Sequence, residues 1–194
     1  MGKPLPFRLI LASGSPGRRE LLARAGYAFE VLPANIDEPT EVGPAGVRGL
    51  VQQLAWLKAA AVAPRIERGV VLAADTVGWL NGAVIGKPAD EADARRILRS
   101  LGDTTHELWT GVVLWRRPDD LQLAWQTRSL VAFRALTDAE LDAYLLTRQW
   151  VGCSGAYAIQ EGDDPYVRLV EGSRSNVIGL PMESLERYLP ILDD

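Results

Sequence analysis

Short apolar runs alternate with amphipathic stretches in the first third of the chain. Phe7 to Leu11 is an apolar run that ends in a Ser/Gly/Pro turn, after which apolar residues recur at helical spacing. Ser15 is a predicted N-cap with Pro16 at the first helical position. A second short strand is predicted at about Phe29 to Leu32, and an amphipathic helix over Val47 to Val62.

A buried strand and a tight turn come next. Val70 to Ala74 is a continuous apolar run typical of a buried strand, and we expect it to present Asp75 and Thr76 at its end. The dipeptide Asn81-Gly82, between two short apolar segments, predicts a hairpin. Its far end carries Gly86-Lys87-Pro88.

Hairpins dominate the middle of the chain. Two long apolar stretches, His106 to Trp115 and Leu123 to Phe133, flank a Pro/Asp turn and predict a second hairpin. The fold class predicted from this pattern is α/β with a mixed sheet. The other predicted elements are a helix capped by Asp90, a helix opened by the capping box Thr137 to Glu140, a strand at Tyr166 to Glu171, and a helix from about Met182 to Leu189.

Composition narrows the class of protein. The 194 residues are 47% hydrophobic and 24% charged and contain no repeat or linker, so we predict one folded domain over residues 1–194. The net charge of −4 offers no field for long nucleic acid. A single Cys and a single His exclude an intrachain disulfide and a zinc cluster. No apolar run has the roughly 20 residues of a membrane span, so a cytoplasmic protein is expected.

The first candidate site is the segment from Ser13 to Arg19. Its Ser/Gly turn leads into a helix N-terminus, whose free N–H groups and dipole favour an anion. Two arginines, Arg18 and Arg19, lie in that first turn, where the dipole disfavours cations unless a phosphate is shared. Taken alone, the segment is also typical of a capped surface helix whose arginines pair with nearby acids.

Two further candidates are the Asp75-Thr76 pair and Lys87. A carboxylate at a strand end in an α/β sheet commonly faces a ligand, where it can hold Mg²⁺ or act as a general base, although it is as often a cap. Lys87 could serve as a point charge on a phosphate or as an ordinary turn lysine. Its segment is not a P-loop, because the glycine spacing is too short and Pro88 stands where Ser or Thr would bind Mg²⁺.

Other chemistries are disfavoured. The Gly-x-Ser-x-Gly elbow of serine hydrolases is absent. Cys153 and His106 have no signature context for a nucleophilic pair, and both are better explained as packing residues. An RNA-binding module would need a basic face and an aromatic stacking motif, which the sequence lacks.

Six motifs follow one another along the chain. They are Leu9 to Leu22, Ala74-Asp75-Thr76, Gly86-Lys87-Pro88, Thr110-Gly111-Val112, Gly155 to Gln160, and Asn176 to Pro181. Together they span nearly the whole chain and resemble the Maf family of nucleoside triphosphate pyrophosphatases. Since six motifs in one order are far more specific than any one of them, the joint match outweighs the purely structural explanations of the separate segments.

The resemblance implies an enzyme that cuts an NTP or dNTP between the α and β phosphates, releasing the monophosphate and pyrophosphate. It also implies a divalent cation, Mg²⁺ or Mn²⁺, and a house-cleaning role against non-standard or excess nucleotides. The implied fold is similar to that of inosine triphosphate pyrophosphatases, with a mixed, curved sheet and flanking helices in two lobes around a cleft. Members of the family often form homodimers.

The resemblance also implies roles for individual residues. Asp75 matches the catalytic acid that accepts a proton from the attacking water, and Glu38 matches a metal-site carboxylate. The residues implied to bind the phosphates are Ser13, Ser15, Arg18, Arg19, Lys58 and Lys87. One Asp, one Glu, a metal, two lysines and a helix N-terminus suffice for phosphoryl chemistry, which needs positioning and charge neutralisation.

Three positions bear on base preference. The branch acting on dTTP and UTP usually has Arg after the Ser-Pro pair, where this chain has Gly17, whereas Thr76 and Gln160 match that branch. The branch similar to 7-methyl-GTP pyrophosphatases also has a residue other than Arg after the Ser-Pro pair, as here, but it differs at the positions of Thr76 and Gln160. The sequence therefore leaves the base preference open. The alternative function is a nucleotide-binding regulator of septum formation or cell-division arrest, which would not need Asp75; retention of Asp75, Glu38 and both lysines favours catalysis.

Overall fold

A computed structural model describes residues 3–157, 159 and 164–193. The predicted strands and helices are present with shifted ends. The strands are β1 (Leu9–Leu11), β2 (Glu30–Val31), β3 (Gly69–Leu80), β4 (Ala83–Ile85), β5 (Thr104–Arg117), β6 (Gln122–Phe133) and β7 (Val167–Glu171). The α-helices are α1 (Pro16–Arg24), α2 (Gly46–Val62), α3 (Glu91–Leu101), α4 (Asp138–Leu146), α5 (Arg174–Ile178) and α6 (Met182–Tyr188).

All seven of these strands belong to one mixed sheet. Their order is β2-β1-β3-β5-β6-β7, with β4 paired to β3. β1 is parallel to β2 and β3, and every other pair is antiparallel. The α/β class with a mixed sheet is therefore confirmed.

The helix starts form as their capping residues predict. The Ser15 hydroxyl accepts a hydrogen bond from the Arg18 amide at 3.4 Å, and Pro16 opens α1. Thr137 and Glu140 complete a reciprocal capping box at α4. Both residues of the Asn81-Gly82 turn have positive φ, of 51° and 83°, as a two-residue hairpin turn requires. Local chemistry thus fixes these ends.

The predicted end of the strand at Ala74 is wrong. β3 continues through Asp75 and Thr76 to Leu80, because Asp75 pairs with Gly111 in a ladder that β5 extends as far as Trp79. Asp75 therefore lies in the middle of a strand. The structure also contains an α-helix that the sequence did not predict. This helix, α5, has only five residues, which are too few to show a helical period.

One edge of β3 is left partly unpaired. β1 accompanies β3 only as far as Leu72, and β4 joins it only from Gly78. Between these points residues 73–77 have no strand partner on this edge within the described parts of the chain. Asp75 and Thr76 lie in this gap, just beyond the carboxyl end of the parallel strand β1, where open α/β sheets commonly bind ligands.

Helices pack on both faces of the sheet around this gap. On one face, Val71 and Ala73 contact the apolar side of α2, and on the other Val70, Leu72 and Ala74 contact residues of α1 and α6. Because side chains alternate along a strand, Asp75 shares the α2 face and Thr76 the α1 face. The gap thus presents polar groups to both sides.

Candidate active site

A cleft of about 920 Å³ lies at this gap. One side, here called the charged wall, consists of Arg18, Glu38, Lys58, Asp75 and Lys87. The other side, the apolar wall, consists of Leu108, Tyr157, Ile159 and Val177, which belong to one apolar cluster. Residues far apart in sequence therefore surround one space.

Three charged groups of the charged wall form one network. The Lys58 ammonium donates to Asp75 Oδ1 at 2.5 Å and lies 2.8 Å from Glu38 Oε1. The side chains of Lys58 and Asp75 are 11% and 10% exposed, whereas that of Glu38 is 43% exposed. The two carboxylates therefore meet on a single buried cation.

A close approach of helix and sheet makes this network geometrically feasible. A Cβ at Gly111 would lie 2.3 Å from the Val51 carbonyl oxygen, so only glycine lets α2 pack this closely on β5. Lys58 follows Val51 by seven residues and so shares its sheet-facing side of α2. Since Gly111 is the β5 partner of Asp75, this packing brings Lys58 over that carboxylate.

Arg18 is held by a second network. Its Nε donates to the Gly179 carbonyl at 2.7 Å, and its two terminal nitrogens donate to Ser13 Oγ at 3.0 Å and Thr76 Oγ1 at 3.3 Å. Ser13 Oγ also accepts from the Ser15 amide at 3.2 Å. The guanidinium is thereby fixed at the N-terminus of α1 while it still lines the cleft.

The charges in the wall influence one another. Burial lowers the pKa of the Arg18 guanidinium, although the negative charges of Asp75 and Glu38 oppose that shift. Partial burial would raise the pKa of Glu38, but the hydrogen bond from Lys58 and the charges of Lys58, Lys87 and Arg18 hold it below its ordinary value. Glu38 is therefore kept ionised by the cations around it.

The cleft is locally positive on a negative protein. Besides the charged wall, Glu20 and Arg24 of α1 line it as a pair joined at 2.6 Å. Among the described lining residues, four cations therefore face three carboxylates, whereas the whole chain carries −4. This local excess suits a polyanionic ligand.

The other predicted site residues are placed as follows. Lys87 follows β4, is exposed and lines the cleft. The cleft is also lined by Ser13, Ser15, Gly17 and Thr76. Arg19 is exposed and is not among the lining residues, because it lies about 100° round the helix from Arg18. The predicted contact of both arginines with the phosphates stays a prediction. Gln160 lies outside the described residues.

Space at Gly17 is already filled. A Cβ there would lie 2.9 Å from Ile178 Cγ2, so the residue at 17 sits against α5. A larger side chain at position 17 would therefore require the Ile178 side chain to shift. The Thr76 hydroxyl is also engaged, since it shares a hydrogen bond of 2.9 Å with Thr110 Oγ1.

The apolar wall contains one buried polar pair. His106 Nε2 and the Tyr157 hydroxyl are 2.7 Å apart, with the rings edge to face. Burial lowers the pKa of His106 to about 4, and it raises the pKa of Tyr157 above its ordinary value. Both side chains are therefore neutral near pH 7, and the pair fixes the Tyr157 ring in the wall.

Sequence reasoning assigned no role to three residues that support the site. Thr110 bonds Thr76 and also donates to the Asn176 carbonyl at 3.3 Å, and Gly179 supplies the carbonyl that holds Arg18. All three lie in motifs that the sequence singles out. Their partners, however, are more than 30 residues away in the chain, so no local signal connects them.

A mixed α/β sheet whose gap holds carboxylates, buried cations and a helix N-terminus defines a phosphate-binding protein of the α/β class. Comparison with known families identifies the family to which this protein belongs. Residues 8–191 match the family model described as "Maf-like protein". The chain belongs to the Maf family.

Named relatives agree with this membership. The chain is 42% identical over 191 residues to the dTTP/UTP pyrophosphatase of Rhodopirellula baltica, an alignment that covers 97% of this chain and 83% of that one. It is 46% identical over 188 residues to the dTTP/UTP pyrophosphatase of Anaeromyxobacter sp. (strain Fw109-5), covering 95% and 89% of the two chains.

Two solved structures are more distantly similar. The Staphylococcus aureus Ham1 protein gives a TM-score of 0.46 at 17% identity, covering 65% of this chain and 71% of that one. A nucleoside-triphosphatase / dITP/XTP pyrophosphatase from Mycobacterium abscessus gives 0.45 at 16% identity, covering 95% and 96%. In the described parts of this chain, every helix is too short or too polar to span a membrane.

Proposed function

We propose that this protein hydrolyses nucleoside triphosphates between the α and β phosphates, yielding a monophosphate and pyrophosphate. The observation that carries the proposal is the buried Asp75–Lys58–Glu38 network in a cleft that also presents Arg18 and Lys87. A carboxylate surrounded by cations suits attack of water on a polyanion. The relatives named dTTP/UTP pyrophosphatases support the same reaction.

Asp75 is the proposed proton acceptor. Water attacks the α-phosphorus, the bond to the oxygen that bridges to the β-phosphorus breaks, and Asp75 takes the proton that the water loses. The positive groups of the charged wall neutralise the oxygens of the leaving pyrophosphate. Arg18 and the N-terminus of α1 hold the phosphates in place.

The charged wall also fits a divalent cation. Asp75 and Glu38 point their oxygens at one place, and Mg²⁺ is commonly held by one or two carboxylates together with substrate phosphates. No cluster of three or more Asp, Glu, His or Cys side chains occurs within the described ranges, so these two are the ligands that we propose. When bound, the cation would polarise the phosphate oxygens.

We propose dTTP and UTP as the first substrates to test, on the names of the relatives. The apolar wall offers a surface on which a base can pack. The hydrogen bond between Thr76 and Thr110 faces the α1 side of the sheet, so a contact from Thr76 to a base would have to share its hydroxyl. The roles of Gly17 and Gln160 in base selection stay predictions.

The test is a panel of canonical and modified NTPs incubated with the purified protein and Mg²⁺ or Mn²⁺. We expect release of one pyrophosphate for each monophosphate, with dTTP and UTP among the best substrates. Release of orthophosphate with a nucleoside diphosphate would contradict the proposal. Nucleotide binding without turnover would instead support the regulator of septum formation, which the retained carboxylates disfavour.

Three further sequence predictions accompany this function. They are a cytoplasmic location, a homodimer and a single domain over residues 1–194. Sedimentation velocity at several protein concentrations would measure the oligomeric state.

A further inference from the structure

The position of Lys58 is unexpected for a lysine that is meant to contact phosphate. Its ammonium points between two carboxylates, 2.5 Å from Asp75 and 2.8 Å from Glu38. A single cation therefore already bridges the two groups proposed to hold the metal. Lys87, in the same cleft, forms no ion pair with either of these carboxylates in the described structure.

We infer that Lys58 occupies the metal position in the free protein and must move aside when the metal binds. Mg²⁺ binds oxygen at about 2.0–2.1 Å, so an ion bridging Asp75 and Glu38 would take the place of the ammonium. The two cations would also repel each other strongly at a separation of a few ångströms. This inference rests on the proposed function.

The moved ammonium needs a new anion. Lys58 is only 9% exposed, and a buried charge without a partner is strongly unfavourable. The nearby groups on the charged wall other than the two carboxylates are cations, Arg18 and Lys87. The phosphates of the nucleotide supply the missing negative charge, so Lys58 moves readily only when nucleotide is present.

Metal and nucleotide should therefore bind cooperatively. The nucleotide supplies the anion that the displaced Lys58 ammonium needs, and the metal displaces that ammonium from the two carboxylates. Such coupling is reciprocal. The same movement breaks the hydrogen bond between Lys58 and Asp75 Oδ1, and the metal would take the place of the ammonium there. Lys58 would thus link nucleotide binding to metal binding.

The test measures binding of Mn²⁺ alone by electron paramagnetic resonance, without nucleotide or turnover. We expect Lys58→Met to bind Mn²⁺ about tenfold or more tightly than the wild type, since the competing ammonium is gone. Lys87→Met is the matched control, because it removes the same charge from the same cleft but leaves the metal position filled. We expect it to gain about threefold or less.

Equal gains in the two variants, or no gain in Lys58→Met, would overturn the inference. Lys58→Gln, which keeps a hydrogen-bond donor for Asp75, repeats the test if the methionine variant does not fold by circular dichroism. In the wild type, water-proton relaxation should show that a non-hydrolysable dTTP analogue increases the amount of protein-bound Mn²⁺. Absence of NTP hydrolysis would refute the proposed function without deciding the Mn²⁺ result.

Discussion

The two walls of the cleft satisfy their polar groups in different ways. On the charged wall, Lys58 is shared by Asp75 and Glu38, and the charges of Arg18 and Lys87 also lower the pKa of Glu38. On the apolar wall, the neutral His106–Tyr157 pair is enclosed by apolar side chains. One wall is organised by charge, and the other by packing.

This contrast assigns different parts of a bound nucleotide to the two walls. Fixed cations stabilise phosphates through electrostatic interactions that salt weakens, whereas an apolar surface binds a base through buried area that salt affects little. Changes on the charged wall should therefore affect the chemical step and the phosphates. Changes on the apolar wall should affect stability and discrimination between bases.

Removing the charge of Asp75 should give the largest effect. Asp75→Asn keeps the shape of the side chain but cannot accept a proton or hold a metal as a carboxylate does, so we expect turnover to fall roughly 100-fold or more. Steady-state kinetics of dTTP hydrolysis measures this. Asp37→Asn is the matched control, because exposed Asp37 does not line the cleft. Near-normal turnover in a folded Asp75→Asn protein would refute the role of this carboxylate.

Acidification should destabilise the apolar wall by protonating His106. Its pKa is about 4 in the folded protein, against 6.5 for a histidine that is free of such burial, so the unfolded chain binds the proton more readily. This contribution to stability is present above pH 6.5 and is lost as the pH falls toward 4, with a total on the order of 3 kcal/mol. Urea unfolding from pH 7 to 4 should show a steeper loss in the wild type than in His106→Gln. Parallel curves would contradict this assignment.

The neighbouring arginines of α1 should behave differently. Arg18→Ala removes three hydrogen bonds at the cleft, so we expect the KM for dTTP to rise about tenfold and stability to fall by about 2–3 kcal/mol. Arg19→Ala changes an exposed residue outside the cleft and should leave both nearly unchanged. Equal effects of the two substitutions on KM would mean that Arg19 reaches the phosphates after all.

The smallest effect is expected at Gly17. An arginine at this position, as in the dTTP/UTP branch, should sharpen the preference for those substrates, but its Cβ would meet Ile178 at 2.9 Å. Gly17→Arg with Ile178→Ala removes that contact, so the double variant should raise the ratio of dTTP to dGTP turnover by about threefold to tenfold. Ile178→Ala alone is the control. An unchanged ratio would mean that residue 17 does not select the base.

Local signals were sufficient for much of the fold. Ser15, Thr137 and Asn81-Gly82 each determine their own helix start or turn through contacts within a few residues. The end of β3 could not be predicted in this way. Asp75 remains in the strand because Gly111, 36 residues later, pairs with it; intrinsic strand preference is overridden by such partners.

The sequence indicated which residues line the cleft better than it indicated which of their side chains contact one another. Motifs pointed to Asp75, Lys58, Lys87 and Arg18, and all four line one cleft. The sequence could not show that Lys58 binds both carboxylates or that Gly179 holds Arg18, because these contacts depend on how α2 and α5 pack on the sheet. Arg18 lines the cleft and Arg19 does not, because adjacent helix residues face different directions.

The most direct test of the central claim locates the bond that is broken. Hydrolysis of dTTP in water enriched in ¹⁸O, followed by mass spectrometry of both products, shows which phosphorus the water attacks. Attack at the α-phosphorus with Asp75 as base predicts one ¹⁸O atom in the monophosphate and none in pyrophosphate. Label in pyrophosphate, or a diphosphate product, would contradict the account.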